Sequence, residues 1–151
     1  MRVLIIEDNE FNAFCLRRLL ESVITGSSVT LVNNSNAALA LFYSHPFDLV
    51  IIDGDLGADR AKGAYCNGPE LAQILFYKYP HIALIGWTDS QQMRQEFSHI
   101  FKQHDRSLNE FSMWNKTVTT ETICKTWTHY FSEFIGGQAL AYNKMNSALY
   151  C

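Results

Sequence analysis

Five short apolar runs, spaced so that a longer amphipathic stretch fits between each pair, are what most limits the folds open to this chain. They read Val3-Leu4-Ile5-Ile6, Val29-Thr30-Leu31-Val32, Leu49-Val50-Ile51-Ile52, Ile82-Ala83-Leu84-Ile85-Gly86-Trp87 and Phe111-Ser112-Met113-Trp114. Their lengths are those of strands, and the first and third are apolar at successive positions, as in strands covered on both faces. Those two belong near the centre of a parallel sheet. Between the runs, Phe11, Phe14, Cys15, Arg18 and Leu19 mark a helix with a mostly apolar stripe, and Asn36 to Tyr43 mark an alanine-rich second. Pro69 to Tyr79 predicts a third, opened by one proline and closed before Pro80, and Ser90 to His104 a fourth. The fifth runs from about Thr119 to Phe134, with Ile123, Trp127, Tyr130 and Phe134 at helical spacing and Gly136-Gly137 as its stop. Strands alternating with helices in this way predict an α/β domain.

The chain has 151 residues, 48% of them hydrophobic, enough for one core and one domain. The expected division is a domain over residues 1–135 and a tail over 136–151 that either docks as a short helix or stays unpacked. A net charge of -3, with no basic run longer than Arg17-Arg18, argues against a nucleic-acid footprint. The first apolar run is cut by Glu7-Asp8, too early for a signal peptide or membrane span, so the expected location is cytoplasmic and without membrane contact. Cys15, Cys66, Cys124 and Cys151 form no paired motif and no zinc spacing, so they read as free thiols. Trp87, Trp114 and Trp127 read as packing residues, and none of the five histidines falls at a strand end.

Reactive side chains of an open parallel sheet collect at the carboxyl ends of its strands. Here the first strand ends in Glu7-Asp8, the third in Asp53, the fourth in Thr88 and the fifth in Lys116. Each acid or hydroxyl alone would be unremarkable as a helix cap. Together they make a chemically complete set for phosphoryl transfer. Crowded carboxylates repel one another unless a cation sits among them, and an all-oxygen donor set favours Mg²⁺. Asp53 would then be the nucleophile, while the Lys116 ammonium and the Thr88 hydroxyl meet the phosphoryl oxygens.

These residues resemble the receiver domain of two-component response regulators. The resemblance rests on the opening Arg-Val-Leu-Ile-Ile-Glu-Asp-Asn-Glu, the Asp of Val50-Ile51-Ile52-Asp53, the Thr of Gly86-Trp87-Thr88 and the Lys of Asn115-Lys116, and spans residues 1 to about 135. It implies a flavodoxin-like three-layer sandwich with five parallel strands in order 2-1-3-4-5. By resemblance Asp53 is the phosphoacceptor, Asp8 and Asp53 bind Mg²⁺ directly, Glu7 acts mainly through water, and the backbone carbonyl of Asp55 completes the metal set. The implied phosphodonor is a sensor histidine kinase or a histidine phosphotransfer protein, and a downstream protein would dock on the face made by helix four, strand five and helix five. The expectation is a stand-alone signalling domain whose only catalysis is its own phosphorylation and dephosphorylation.

The chain departs from the pattern in four places. Residues between Gly54 and Asn67-Gly68 form an insertion whose tip is expected to cover part of the site. Lys-Pro is replaced by Lys116-Thr117, where a cis bond costs far more. Met113 stands where the family carries a switching aromatic, and the longer span from Thr88 to Lys116 predicts an extended or displaced fourth helix. Two other functions fit parts of the chain. Ile52-Asp53-Gly54-Asp55 also resembles the nucleophile motif of haloacid-dehalogenase-type phosphatases, with Asp55 as acid/base. That family needs a further acidic pair after its lysine, and beyond Lys116 only Glu121 and Glu133 follow. Met113 and Lys116-Thr117 alternatively suit an adaptor that works without phosphorylation.

Overall fold

A computed structural model describes residues 1–57 and 66–135, side chains after Phe131 excepted. Its elements are β1 (Arg2–Ile6), α1 (Glu10–Val23), β2 (Ser28–Val32), α2 (Ser35–Ser44), β3 (Leu49–Asp53), α3 (Gly68–Lys78), β4 (Ala83–Trp87), α4 (Gln91–Gln103), β5 (Met113–Trp114) and α5 (Thr120–Ile135). All strand pairs are parallel, in the order β2-β1-β3-β4-β5. This is the flavodoxin-like α/β sandwich that the resemblance implies.

Period-two alternation divides the central strands between two cores. Leu4, Ile6, Val50, Ile52 and Leu84 pack with Ala38 and Phe42 of α2, Leu71 and Leu75 of α3, and Phe97 and Phe101 of α4. Val3, Ile5, Leu49, Ile51 and Ile85 pack on the other side with Leu16 and Leu20 of α1 and with Ile123 and Trp127 of α5. Residues 3–6 of β1 and 49–52 of β3 are apolar at every position because both their faces meet helices. Since β2 lies to one side of β1 and β3 to the other, the chain reverses direction across the sheet at β1/β3, and a crevice opens there at the carboxyl ends.

Three local expectations need correction. On α1 the buried residues are Ala13, Leu16, Leu20 and Val23, whereas Phe11 and Phe14 are 75% and 57% exposed and Cys15 and Arg18 face solvent. The large side chains suggested a stripe one step out of phase with the true one. The fourth helix is not extended: the extra residues form a turn over 104–112, where Asp105 has φ 52° and the Arg106 guanidinium donates to the carbonyls of Pro80 and Ile82. That turn also shortens β5 to Met113–Trp114, because the Ser112 hydroxyl donates to Ser107 O and accepts from Asn109 N–H, bending Phe111-Ser112 out of a full strand. The tip of the loop after β3 and the tail over 136–151 lie outside the described residues.

Gly68 fixes how closely α3 approaches the sheet. A Cβ there would stand 2.1 Å from the Asp53 carbonyl oxygen, so only glycine lets the helix start against the end of β3.

Candidate functional site

The strand register carries the acidic edge directly out of the core. Ile5, Ile51 and Ile85 share one rung on the α1/α5 face. One pleat further on, Asp53 pairs with Trp87 and Trp87 with Trp114, and Glu7 lies two residues beyond Ile5. Glu7, Asp53 and Trp87 therefore project to the same side, and Lys116 follows Trp114 by the same two-residue step. Glu7 and Asp53 are 2% and 6% exposed, and Asp8 opens to solvent beside them.

Helix capping does not account for these residues. The side chain of Asn9 caps α1, that of Asn34 caps α2, and that of Ser90 caps α4, while Asn67 holds the N-cap position of α3. Glu7, Asp8, Asp53 and Thr88 are left for other work. Buried Thr88 turns its hydroxyl oxygen to the Ser90 N–H at 3.1 Å, and its own N–H donates to Trp114 O at 3.0 Å.

Lys116 reaches into the edge from the β5/α5 loop. Its backbone N–H donates to Asp89 Oδ1 at 2.8 Å, and its ammonium donates to Glu7 Oε2 and to Asp53 Oδ1, the latter at 2.9 Å. No cis peptide bond occurs among the described residues. The other Glu7 oxygen, Oε1, accepts the Asn9 N–H at 3.0 Å, so both oxygens of Glu7 already have protein donors.

Burial raises the Asp53 pKa above the ordinary carboxylate value, against the opposing pull of the Lys116 ammonium. Asp8 is raised as well, by partial burial first and then by the adjacent Glu7 carboxylate, with the Asp55 charge adding to it. One oxygen from each of Glu7, Asp8 and Asp53 lies within 4.8 Å of the others. Such a cluster of mutually repelling oxygen donors, with Glu7 and Asp53 buried and Asp8 open to solvent, and without nitrogen or sulfur, fits a hard divalent cation. Asp55 sits exposed on the rim, its Oδ1 accepting the Gly57 N–H at 3.0 Å.

The Lys116 ammonium lies 3.7 Å from the centroid of the Trp87 ring, a side chain that reads in the sequence as simple packing. The available signal was its place immediately before Thr88, at the end of β4. Half-buried Met113 lies across Gly86, its Cε 2.9 Å from where a Cβ would stand, with Phe97 on the same spot.

No family model matches the chain. Among solved structures, the signal receiver domain of a modulated diguanylate cyclase from Desulfovibrio desulfuricans G20 is similar at TM-score 0.67 and 25% identity, covering 87% of this chain and 94% of that one. A CheY-like response regulator receiver domain protein from Methanospirillum hungatei JF-1 is similar at TM-score 0.67 and 19% identity, with the same 87% and 94% coverage. The virulence sensor protein BvgS of Bordetella bronchiseptica is 33% identical over 100 residues, or 62% of this chain, and the match spans 7% of that much longer protein. This chain has the fold of response regulator receiver domains. Among the described residues no helix is long and apolar enough to cross a membrane.

Proposed function

We propose that this receiver-fold chain accepts a phosphoryl group on Asp53 from the phosphohistidine of a sensor histidine kinase or a histidine phosphotransfer protein, in two-component signalling. The observation that carries this reading is the meeting of Asp53 with the Lys116 ammonium at 2.9 Å and with oxygens of Glu7 and Asp8 within 4.8 Å. An Asp53 oxygen attacks phosphorus, a new O–P bond forms as the N–P bond breaks, and the donor imidazole keeps the electron pair. Lys116 would take one phosphoryl oxygen, and the Thr88 hydroxyl, whose oxygen now accepts from the Ser90 N–H, would donate to another.

Asp8 and Asp53 would hold Mg²⁺ with the backbone carbonyl of Asp55. Glu7, whose oxygens already accept from Asn9 and Lys116, would act through water. The metal would supply charge neutralisation for the transferring group. The BvgS match supports a partner of the sensor type, since a sensor protein there carries a stretch similar to this chain. The rim position of Asp55, with an oxygen engaged in its own loop, gives no support to the phosphatase reading.

The test is incubation of the full chain with Mg²⁺ and acetyl phosphate, followed by intact mass. One phosphoryl adduct is expected on wild type and none on Asp53→Asn. No adduct on wild type, under conditions that label a known receiver, would replace this reading with the phosphorylation-independent adaptor.

A further inference from the structure

We propose that Trp87 is a positioning residue for Lys116, its ring face forming an uncharged wall that keeps the ammonium over the acidic edge before and after Asp53 is modified. This rests on the phosphoacceptor reading above. Lys116 is tied at its backbone by Asp89, and from there a flexible four-carbon stem must bring the charge to the site. Among the described residues, three groups meet that charge: Glu7, Asp53 and the Trp87 ring at 3.7 Å. The two carboxylates are directional partners, and one of them changes in the reaction. When Asp53 becomes an acyl phosphate, its oxygen loses charge and the new oxygens lie further out. An ammonium held by carboxylates alone would then fall back onto Glu7. The quadrupole of an indole attracts a cation across its whole face and sets no preferred donor direction, so the ammonium can shift toward the phosphoryl group without leaving its support.

A second observation points the same way. The Trp87 ring is 3% exposed, yet its Nε1 is buried with no hydrogen-bond partner among the described residues. An orphaned indole N–H is a cost that phenylalanine would avoid, so the orientation of this ring is not set by its own polar atom. Trp87 also lies in register with Asp53, which fixes the ring beside the reacting carboxylate by backbone geometry alone.

The test uses the full chain. In the metal-free protein the Lys116 ε-methylene protons should show an upfield ring-current shift, absent in Trp87→Leu and partly kept in Trp87→Phe. With Mg²⁺ and acetyl phosphate, Trp87→Leu should label about tenfold more slowly than wild type, and Trp87→Phe within about threefold. An unshifted Lys116 in wild type, or Trp87→Leu labelling at the wild-type rate, overturns the proposal. Should Trp87→Leu lose its fold, the wild-type spectrum and Trp87→Phe decide it. A shifted Lys116 in a wild type that never labels would instead overturn the phosphoacceptor reading and leave the contact standing.

Discussion

Lys116 donates its ammonium to Glu7 across 109 residues of chain, closing the acidic edge of β1 from the far side of the sheet. Neither residue is explained by its own neighbourhood, since Glu7 is almost fully buried and Lys116 only partly exposed. Their pairing defines the site.

Removing the charge of Asp53 should stabilise the metal-free protein while abolishing phosphorylation. Its pKa is raised in the fold, so in the window between the unfolded value near 3.8 and the raised folded value the native state binds more protons than the unfolded one. Stability therefore falls as pH rises through that window, and the penalty is fully present above it. Asp53→Asn should melt above wild type at pH 7, by about 2–4 °C for each kcal/mol relieved in a domain of this size. The difference should close as pH drops below the window, and Mg²⁺ should raise the melting temperature of wild type only. A variant less stable than wild type at pH 7 would contradict the burial argument.

Asp8→Ala should weaken Mg²⁺ binding and slow labelling by acetyl phosphate together, each by at least about tenfold, since losing even an outer partner of a metal typically costs that much. Isothermal titration with Mg²⁺ and a labelling time course read the two effects separately. Unchanged Mg²⁺ affinity would remove Asp8 from the metal set.

Gly68→Ala should cost about 3 kcal/mol or more, the upper range for overpacking, because the new Cβ meets the backbone oxygen of Asp53 at 2.1 Å, and rigid backbone cannot yield as a flexible side chain would. Urea unfolding measures the loss. The surviving folded fraction should also label slowly, since the helix can retreat only by moving Asp53.

Phosphorylation should change the α4-β5-α5 face little. Met113 lies over Gly86 beside Phe97, and a flexible thioether packed there offers no second discrete position for a switch to occupy. Partner affinity should change by no more than about 1–3 kcal/mol. Amide hydrogen exchange with and without beryllofluoride checks this, with changes expected in the loops after Asp8, Asp53 and Thr88. Strong new protection across residues 90–130 would show a full switch instead.

The amino-acid sequence by itself determined the elements and the edge on which the polar groups stand. Buried strands such as Val3 to Ile6 and Leu49 to Ile52 carry a local signal, because a strand between two helical layers must be apolar at every position. The residue that follows each strand then falls on the carboxyl edge whatever the strand order. Tertiary structure alone decided which face of α1 turns inward, leaving Phe11 and Phe14 in solvent, since burial depends on where β2 and α5 lie and not on side-chain size. It also decided that Lys116 meets Glu7, Asp53 and Trp87 together. Those four residues come from four different strand ends, and only the lateral order and register of the sheet bring them within contact; spacing along the chain carries no record of that distance.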